Sequence, residues 1–283
     1  MADFCRERIR MPDGRPFNAY TYPHLTAPNG PCDAFDDPSI RNIWMQFASR
    51  CAKTTFGHCV LLFTAACNPC PMIYGSSTHD LAAGNVVTKL YPMLERIPEL
   101  KEQLRPPHRR KETRVDLRDC RINVAWSGSA TSLADVSARI CHASEIDKWT
   151  TDASNEGDPL NLFAERSKEF PDRKIIYEST PAIKGKSRVE HGRLASDNRL
   201  YHVPCPHCGK YQPLRLGDGG PGGIAWDKGP AGKSDPNIAY HTARYLCEFC
   251  EQAIKDEHRG RMFRAGVWVP DGCSVDPDTG QLV

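Results

Sequence analysis

The sequence predicts an α/β fold, a mostly parallel sheet flanked by helices, followed by a small cysteine-rich module. Two observations carry that expectation. Between residues 39 and 196, short apolar runs alternate with segments of helical period, the pattern of strands joined by crossover helices. From residue 197 onward the character changes, with two Cys-x-x-Cys pairs around a Gly- and Pro-rich stretch. The 283 residues suffice for one large domain plus a small module.

The elements follow in order. Residues 1–38, rich in Pro, Gly and Asp, read as an irregular lead-in. Strands are expected at Ile43 to Phe47, Pro71 to Tyr74, Arg121 to Trp126, Arg139 to Ala143 and Lys174 to Tyr177. Phe56, Cys59, Val60 and Phe63 recur at i, i+3, i+4 and i+7, one face of a helix beginning near Thr54. Thr78 is placed to cap a helix reaching about Leu94, and Leu160 to Phe170 predicts a third. Gly217 to Pro236 should hold neither a helix nor a central strand. Residues 197–262 form the cysteine module, and 263–283 read as a linker cut short.

Composition limits the possibilities. Hydrophobic residues are 40% and charged residues 25%, an ordinary globular balance. No apolar run nears the roughly 18 residues that span a bilayer; Cys59 to Cys67 is the longest. Met1 to Arg10 lacks the apolar core of a signal peptide, so a cytoplasmic protein without a membrane partner is expected. Net charge is +2 and names no partner. Arg105 to Arg121 packs seven Lys or Arg against three acids; it reads equally as a phosphate contact or a solvated face. Thirteen cysteines, an odd count, argue for metal or buried thiols over a disulfide framework.

Cys205-Pro206-His207-Cys208 and Cys247-Glu248-Phe249-Cys250 are two knuckles. Four thiolates in a tetrahedron suit structural zinc, with no open position for catalysis. Gly209 follows the second sulfur, where positive φ is often needed. The 38 intervening residues can bulge at small entropic cost. His202 and His207 are not expected as ligands. Cys67-Asn68-Pro69-Cys70 has no partner pair and reads as buried free thiols, or alternatively as a redox motif.

Ala48-Ser49-Arg50-Cys51-Ala52-Lys53-Thr54-Thr55 links a strand to a helix. That is the layout of a phosphate-binding P-loop, with backbone N–H groups and a helix N-terminus around phosphate oxygens. Lys53 would reach the β and γ phosphates and Thr54 would hold Mg²⁺. Phe47 and Ala52 stand where the motif has glycine, and alanine at positive φ costs about 1–2 kcal/mol. The plainer reading is a strand-to-helix turn with a surface lysine. Ser144-Glu145-Ile146-Asp147 follows the fourth strand. Glu145 fits the residue that polarises attacking water, while the preceding metal-side acid is replaced by Ser144. A solvated loop is the alternative. Ser179-Thr180-Pro181 ends the last strand, well placed to sense a γ phosphate, or simply a turn set by Pro181.

Taken together, these segments resemble the large terminase subunit of lambda-like phages, the GpA family. The resemblance rests on "DPSIRNIWMQFASRCAKTT", "PMIYGSSTHDLA", "SEIDKW" with "NEGDPLNLFAERSKEF", "RKIIYESTPAIKGKSRVE", "LYHVPCPHCGKYQPLRL" and "YLCEFC", in that order. It implies a P-loop ATPase of the additional-strand, catalytic-glutamate type with a zinc ribbon. Arg50, Lys53 and Thr54, with Ser49, Thr55 and Ser144, become the candidate ATP and Mg²⁺ site. Glu145 and Asp147 become the candidate catalytic carboxylates, Ser179 and Thr180 the coupling motif, and Cys205, Cys208, Cys247 and Cys250 the zinc ligands. The implied partners are double-stranded DNA, a small terminase subunit, a capsid portal and further copies of the chain in a ring, acting in the cytoplasm of a bacterial host. An arginine for a neighbouring site would come from Arg105, Arg109 or Arg110. The family's nuclease domain is expected to be absent. Two other readings stay open: a prophage remnant that only binds through its zinc ribbon, and a helicase or repair ATPase with a zinc insert.

Overall fold

The computed structural model describes residues 1–17, 22–134 and 136–283. Two compact units emerge: Met1–Asn18 with Pro31–Ser196, and Ala19–Gly30 with Asp197–Val283.

The first unit is built on six strands: β1 (Asn42–Gln46), β2 (Met72–Ser76), β3 (Arg114–Asp116), β4 (Arg121–Trp126), β5 (Ile140–Ser144) and β6 (Lys174–Ser179). Their order is β1-β6-β5-β2-β4-β3. Every pairing is parallel except β3 with β4. β2, β5 and β6 are buried along their whole length, as near-continuous apolar strands of a sheet covered on both faces should be. β6 lies between β1 and β5, so a strand late in the chain separates two earlier ones. This is the additional-strand arrangement that the resemblance implied.

The helix Lys53–Cys67 leaves β1 and packs on β5 and β6. Phe56, Cys59 and Val60 are buried as expected, but so are Leu61 and Leu62. The helix is therefore buried round most of its circumference rather than along one face. Gly57 permits this: a Cβ there would sit 2.0 Å from Cε1 of the buried His142 on β5. Thr78 caps the next helix, accepting from the Leu81 N–H at 3.3 Å. That helix runs His79–Asn85, passes through a π-turn at Val86–Leu90 and resumes at Tyr91–Leu94. Pro159–Glu165 and Arg188–Leu194 complete the cover of the other face, over Ile73, Cys141, Trp149, Phe163 and Tyr177.

Two expectations for the first unit, the irregular lead-in and a buried Cys67, need correction. The lead-in 1–38 is not irregular: among its described residues, helices run Ala2–Arg8 and Pro31–Asp36 in this unit and Pro23–Thr26 in the other. Proline at a first helical position presets φ for the latter two. The basic run folds into β3 and its approach, where Arg105, Arg114 and Arg121 converge on Asp116 and Arg110 pairs with Glu95 at 2.6 Å. Cys67 is exposed while Cys70 is buried, both as free thiols.

The second unit carries two three-stranded antiparallel sheets. One comprises β7 (Leu200–Pro204), β8 (Tyr211–Pro213) and β12 (Val267–Val269); the other, β9 (Ile224–Ala225), β10 (Arg244–Leu246) and β11 (Ala253–Ile254). The Gly/Pro stretch holds only the edge strand β9 and a 3-10 turn at Pro230–Gly232, before a helix at Pro236–Thr242. Residues 263–283 are more than a linker: Val267-Trp268-Val269 supplies a strand to the β7 sheet, and Val275 bridges Leu282. The β-branched residues at 267 and 269 are both buried, which alternation alone would have signalled. Among the described residues, no helix is long and apolar enough to cross a membrane.

Gly57→Ala tests the central packing. On an open helix face alanine would stabilise by about 1 kcal/mol; against His142 the extra methyl should destabilise by about 1–3 kcal/mol. Urea unfolding reads the sign directly, and an unchanged or higher midpoint would contradict the contact.

Candidate nucleotide site and four-cysteine cluster

The parallel register brings three loops to one edge of the sheet. Gln46, Ser144 and Ser179, at the ends of β1, β5 and β6, lie side by side through the pairings Gln46↔Ser179 and Ser144↔Glu178. Ligands of open α/β sheets bind outside such carboxyl ends.

The loop after β1 is exposed at Ala48, Ser49 and Arg50. Arg50 and Ala52 adopt the left-handed conformation, at φ 64° and 58°. Position 52 thus does need positive φ, and alanine meets the requirement under strain. Ala52 is also the N-cap of Lys53–Cys67, and no side chain caps the helix. Its first-turn N–H groups have no intrahelical acceptor and carry the positive end of the helix dipole. Lys53 is only 6% exposed. Thr54 and Thr55 are half-buried.

Lys53 Nζ lies 2.9 Å from Glu145 Oε1. Glu145 is itself left-handed, at φ 56° and ψ 48°, and its second oxygen lies 3.3 Å from Lys148. The lysine that begins the helix after β1 and the carboxylate after β5 are therefore brought together. Asp147 is placed differently. Its two oxygens accept from the backbone N–H groups of Ala182 and Val189, each at 3.0 Å, and its own N–H donates to Ser179 Oγ at 3.2 Å. Both carboxylate oxygens are engaged, so Asp147 ties the segment after β6 to the β5 turn rather than facing the lysine. Ser179 is fully buried; its carbonyl accepts from the Phe47 N–H at 3.2 Å. It thus touches both the phosphate loop and the Glu145 turn, while Thr180 is half-buried beside it.

One residue went unassigned in the sequence reading. Glu178 is completely buried. Its Oε1 accepts from Thr54 Oγ1 at 2.8 Å and from Ser144 Oγ at 2.5 Å. His142 Nε2 lies 3.6 Å from the same oxygen. Burial alone pushes the carboxyl pKa up. The neighbouring His142 and the hydroxyls of Ser144 and Thr54 outweigh burial and hold it below its ordinary value. An acid inside an otherwise apolar buried strand was the signal in the sequence; its pairing opposite Ser144 could not be read there. Of the candidate arginines, Arg105 and Arg110 are held in ion pairs, whereas Arg109 is exposed with no ion-pair partner among the described residues.

In the second unit, the Sγ atoms of Cys205, Cys208, Cys247 and Cys250 all lie within 4.8 Å of one another. Two of the separations, Cys205 to Cys250 and Cys208 to Cys247, are 3.8 Å. A tetrahedron with metal–sulfur bonds of about 2.3 Å has edges of about 3.8 Å. Both knuckles share one backbone design. The N–H of Gly209 donates to the Cys205 carbonyl and that of Glu251 to the Cys247 carbonyl, with φ 74° and 58° respectively. Backbone N–H groups of His207 and Phe249 donate to Cys205 and Cys247 sulfur, each at 3.4 Å. Burial pushes the Cys247 thiol up, but the N–H groups of Cys250 and Phe249 bring it below the usual range, while burial pushes the Cys205 thiol up to about 12. The His207 ring, by contrast, engages the Ala253 carbonyl at 3.1 Å.

A sheet whose strand ends gather an uncapped helix start, a buried lysine and two carboxylates defines an α/β protein of the kind that holds a ligand at that edge. Comparison with known proteins gives the family. The family described as "Phage terminase large subunit gpA, ATPase domain" matches residues 17–268, and the chain belongs to it. The terminase large subunit of Enterobacteria phage P21 is 33% identical over 141 residues, covering 47% of this chain and 20% of that protein. The terminase large subunit of Escherichia phage lambda is 28% identical over 163 residues, covering 55% and 24%. The chain thus aligns with only a fifth to a quarter of the length of these relatives. Among solved structures, the ATPase domain of the Thermus phage P74-26 large terminase shares 14% identity, covering 50% of this chain and 61% of that one at a TM-score of 0.35. Membership of an ATPase-domain family does not favour the reading as a binding module alone.

Ala52→Gly follows from the strained cap. Relief of about 1–2 kcal/mol, less about 0.4–1 kcal/mol for the freer unfolded chain, should leave the variant more stable by roughly 0.5–1 kcal/mol. A melting temperature at or below wild type would argue that the left-handed cap carries no strain.

Proposed function

We propose that this chain is the ATP-hydrolysing part of a motor that drives double-stranded DNA into a phage procapsid. The observation that carries the reading is the Lys53–Glu145 pair, 2.9 Å apart at the start of an uncapped helix. A triphosphate entering there would compete for Lys53 and for the first-turn N–H groups. Lys53 withdrawn to phosphate releases Glu145 Oε1, with Lys148 still beside Oε2, and that oxygen becomes free to orient a water against the γ phosphate. Arg50, exposed on the same loop, adds positive charge, and Ser49 and Thr55 flank the phosphate path. Mg²⁺ with ATP would neutralise charge developing on the phosphates, and the hydroxyls of Thr54 and Ser144 would help to hold it. Asp147 serves as a positioning residue here.

Coupling is assigned to Ser179 and Thr180. Ser179 holds the Phe47 N–H and the Asp147 N–H together, so a shift of either loop is felt by the strand between them. Residues 182–189, bound to Asp147, carry that movement outward. Arg109 is the best placed of the candidate arginines to serve a neighbouring copy, since Arg105 and Arg110 are already paired. The partners proposed are those of the family: DNA, a small terminase subunit and a capsid portal, with several copies of the chain in a ring, in the cytoplasm of an infected bacterium.

The four cysteines are proposed to hold one structural zinc in a ribbon. The 3.8 Å sulfur separations and the paired knuckles support it, and four thiolates leave no open coordination position.

Two measurements test these assignments. Glu145→Gln should abolish most DNA-stimulated ATP turnover, by about 10²–10⁴-fold, the range of a lost general base, while the protein stays folded. Turnover at the wild-type rate would remove Glu145 from the mechanism. For the cysteine cluster, metal analysis of protein purified without added metal should find about one zinc per chain, and chelation should lower the melting temperature of the second unit. A stoichiometry near zero in a stable protein would rule out the ribbon.

A further inference from the structure

Position 144, at the end of β5, holds serine where the resemblance implies an acid on the metal side of the site. Its parallel neighbour across the ladder is Glu178, an acid inside a strand that is otherwise Lys-Ile-Ile-Tyr before it and Ser after it. We propose that Glu178, reaching across from β6, supplies the carboxylate of the Mg²⁺ site that Ser144 cannot. The inference rests on the nucleotide-site reading given above and identifies which of the chain's acids serves the cation there.

Four features support the assignment. First, Glu178 Oε1 accepts from Thr54 Oγ1 at 2.8 Å, the hydroxyl proposed to face the cation. Second, the same oxygen accepts from Ser144 Oγ, so the serine lends its hydroxyl to the neighbouring carboxylate. Third, Glu178 Oε2 is buried without a hydrogen-bond partner among the described residues. A bare carboxylate oxygen in a sealed position is costly, and a cation or a water bound to one would satisfy it. Fourth, a buried imidazole packs beside the same carboxylate oxygen. His142 lies 3.6 Å away, fully buried, and Gly57 leaves room for its ring. Mg²⁺ is held in proteins by one or two carboxylates together with substrate phosphates, so one acid at this position completes an ordinary set. Glu145 is not that acid, because its Oε1 faces Lys53 instead.

A purely structural role for Glu178, as a buried counter-charge to His142, makes different predictions. The discriminating experiment uses Mn²⁺ and ATP with the intact chain, reading bound Mn²⁺ by electron paramagnetic resonance and metal-free ATP binding by calorimetry. Glu178→Gln keeps the size and the acceptor oxygen and removes the charge. It should weaken Mn²⁺ binding in the presence of ATP by about 10–100-fold, the loss seen when a supporting carboxylate is removed from a metal site. ATP affinity without metal should stay within about twofold, since the variant keeps Lys53, the first-turn N–H groups and an acceptor oxygen for Thr54. Moving the acid back, in Ser144→Asp with Glu178→Gln, should restore Mn²⁺ binding. The isosteric control, Ser144→Asn with Glu178→Gln, should not. That pair differs only in a carboxylate at 144, so it decides the matter even if the single variant folds poorly. Mn²⁺ affinity unchanged in Glu178→Gln, or equal in the two double variants, overturns the assignment. A wild-type chain that binds ATP with no response to Mn²⁺ instead overturns the nucleotide-site reading, and this inference with it.

Discussion

Everything at the carboxyl edge of the six-stranded sheet depends on β6 lying between β1 and β5. Parallel strands cannot be joined by a hairpin, so each carboxyl end must emit a loop on the same side of the sheet. With β6 in the middle, the loop after β1, the Glu145 turn and the Ser179–Thr180 segment become immediate neighbours. The ladder then fixes their heights: Ser144 opposite Glu178, and Gln46 opposite Ser179. A slip of one residue in β6 would turn Glu178 to the other face of the sheet. The anchor against such a slip is at the strand's other end. The buried ammonium of Lys174 donates to the carbonyls of Asp37 and Ile40 just before β1, and Ile175 N–H donates to the Arg41 carbonyl at 2.8 Å.

Backbone strain is concentrated at the same edge. Eight non-glycine residues have positive φ among those described, and Arg50, Ala52 and Glu145 are three of them. Several of the rest are asparagines, which tolerate this region readily. An arginine, an alanine and a glutamate do not, and each stores about 1–2 kcal/mol. Strain of this kind persists only where surrounding structure over-determines it. At Glu145 the enforcing contacts are visible: Trp149 Nε1 donates to the Ser144 carbonyl at 2.9 Å, and Asp147 is clamped by three hydrogen bonds. The left-handed turn is what points the glutamate back at Lys53 rather than out to solvent.

Much of this was legible in the sequence because it is local. The five core strands, the strand-to-helix loop after β1, the Thr78 cap and the two cysteine knuckles each arise from a spacing or a short-range pattern. What was not legible depends on pairing across the chain. Glu178 and Ser144 are 34 residues apart, and only the sheet order makes them one site. Asp147 looked catalytic because it follows Glu145 by two; the structure spends both its oxygens on backbone N–H groups from beyond β6. β3 was hidden inside a basic run, since Arg114 and Asp116 flank one buried valine, too short a pattern to separate from a charged loop. The lead-in helices were hidden by the prolines that start two of them.

The cysteine module shows the opposite balance, in which chemistry rather than topology sets the structure. Its two knuckles repeat the same backbone hydrogen bonds although one is followed by Gly209 and the other by Glu251. Glu251 takes the left-handed position that Gly209 takes in the other knuckle, with its N–H on the Cys247 carbonyl at 3.1 Å. The same economy explains the tolerance for the long Gly/Pro connection: once four sulfurs define the centre, closing a loop of 38 residues rather than half that adds only about 0.6 kcal/mol. The core here is small, built on Val203, Cys205, Cys247, Ile254 and Met262. Two of those five are the cysteines themselves. If the four cysteines hold zinc as proposed, the unit's folding and its metal affinity are bound together, whereas the six-stranded unit, with its own extensive apolar interior, tolerates strained residues and a bare carboxylate oxygen at the carboxyl edge of its sheet.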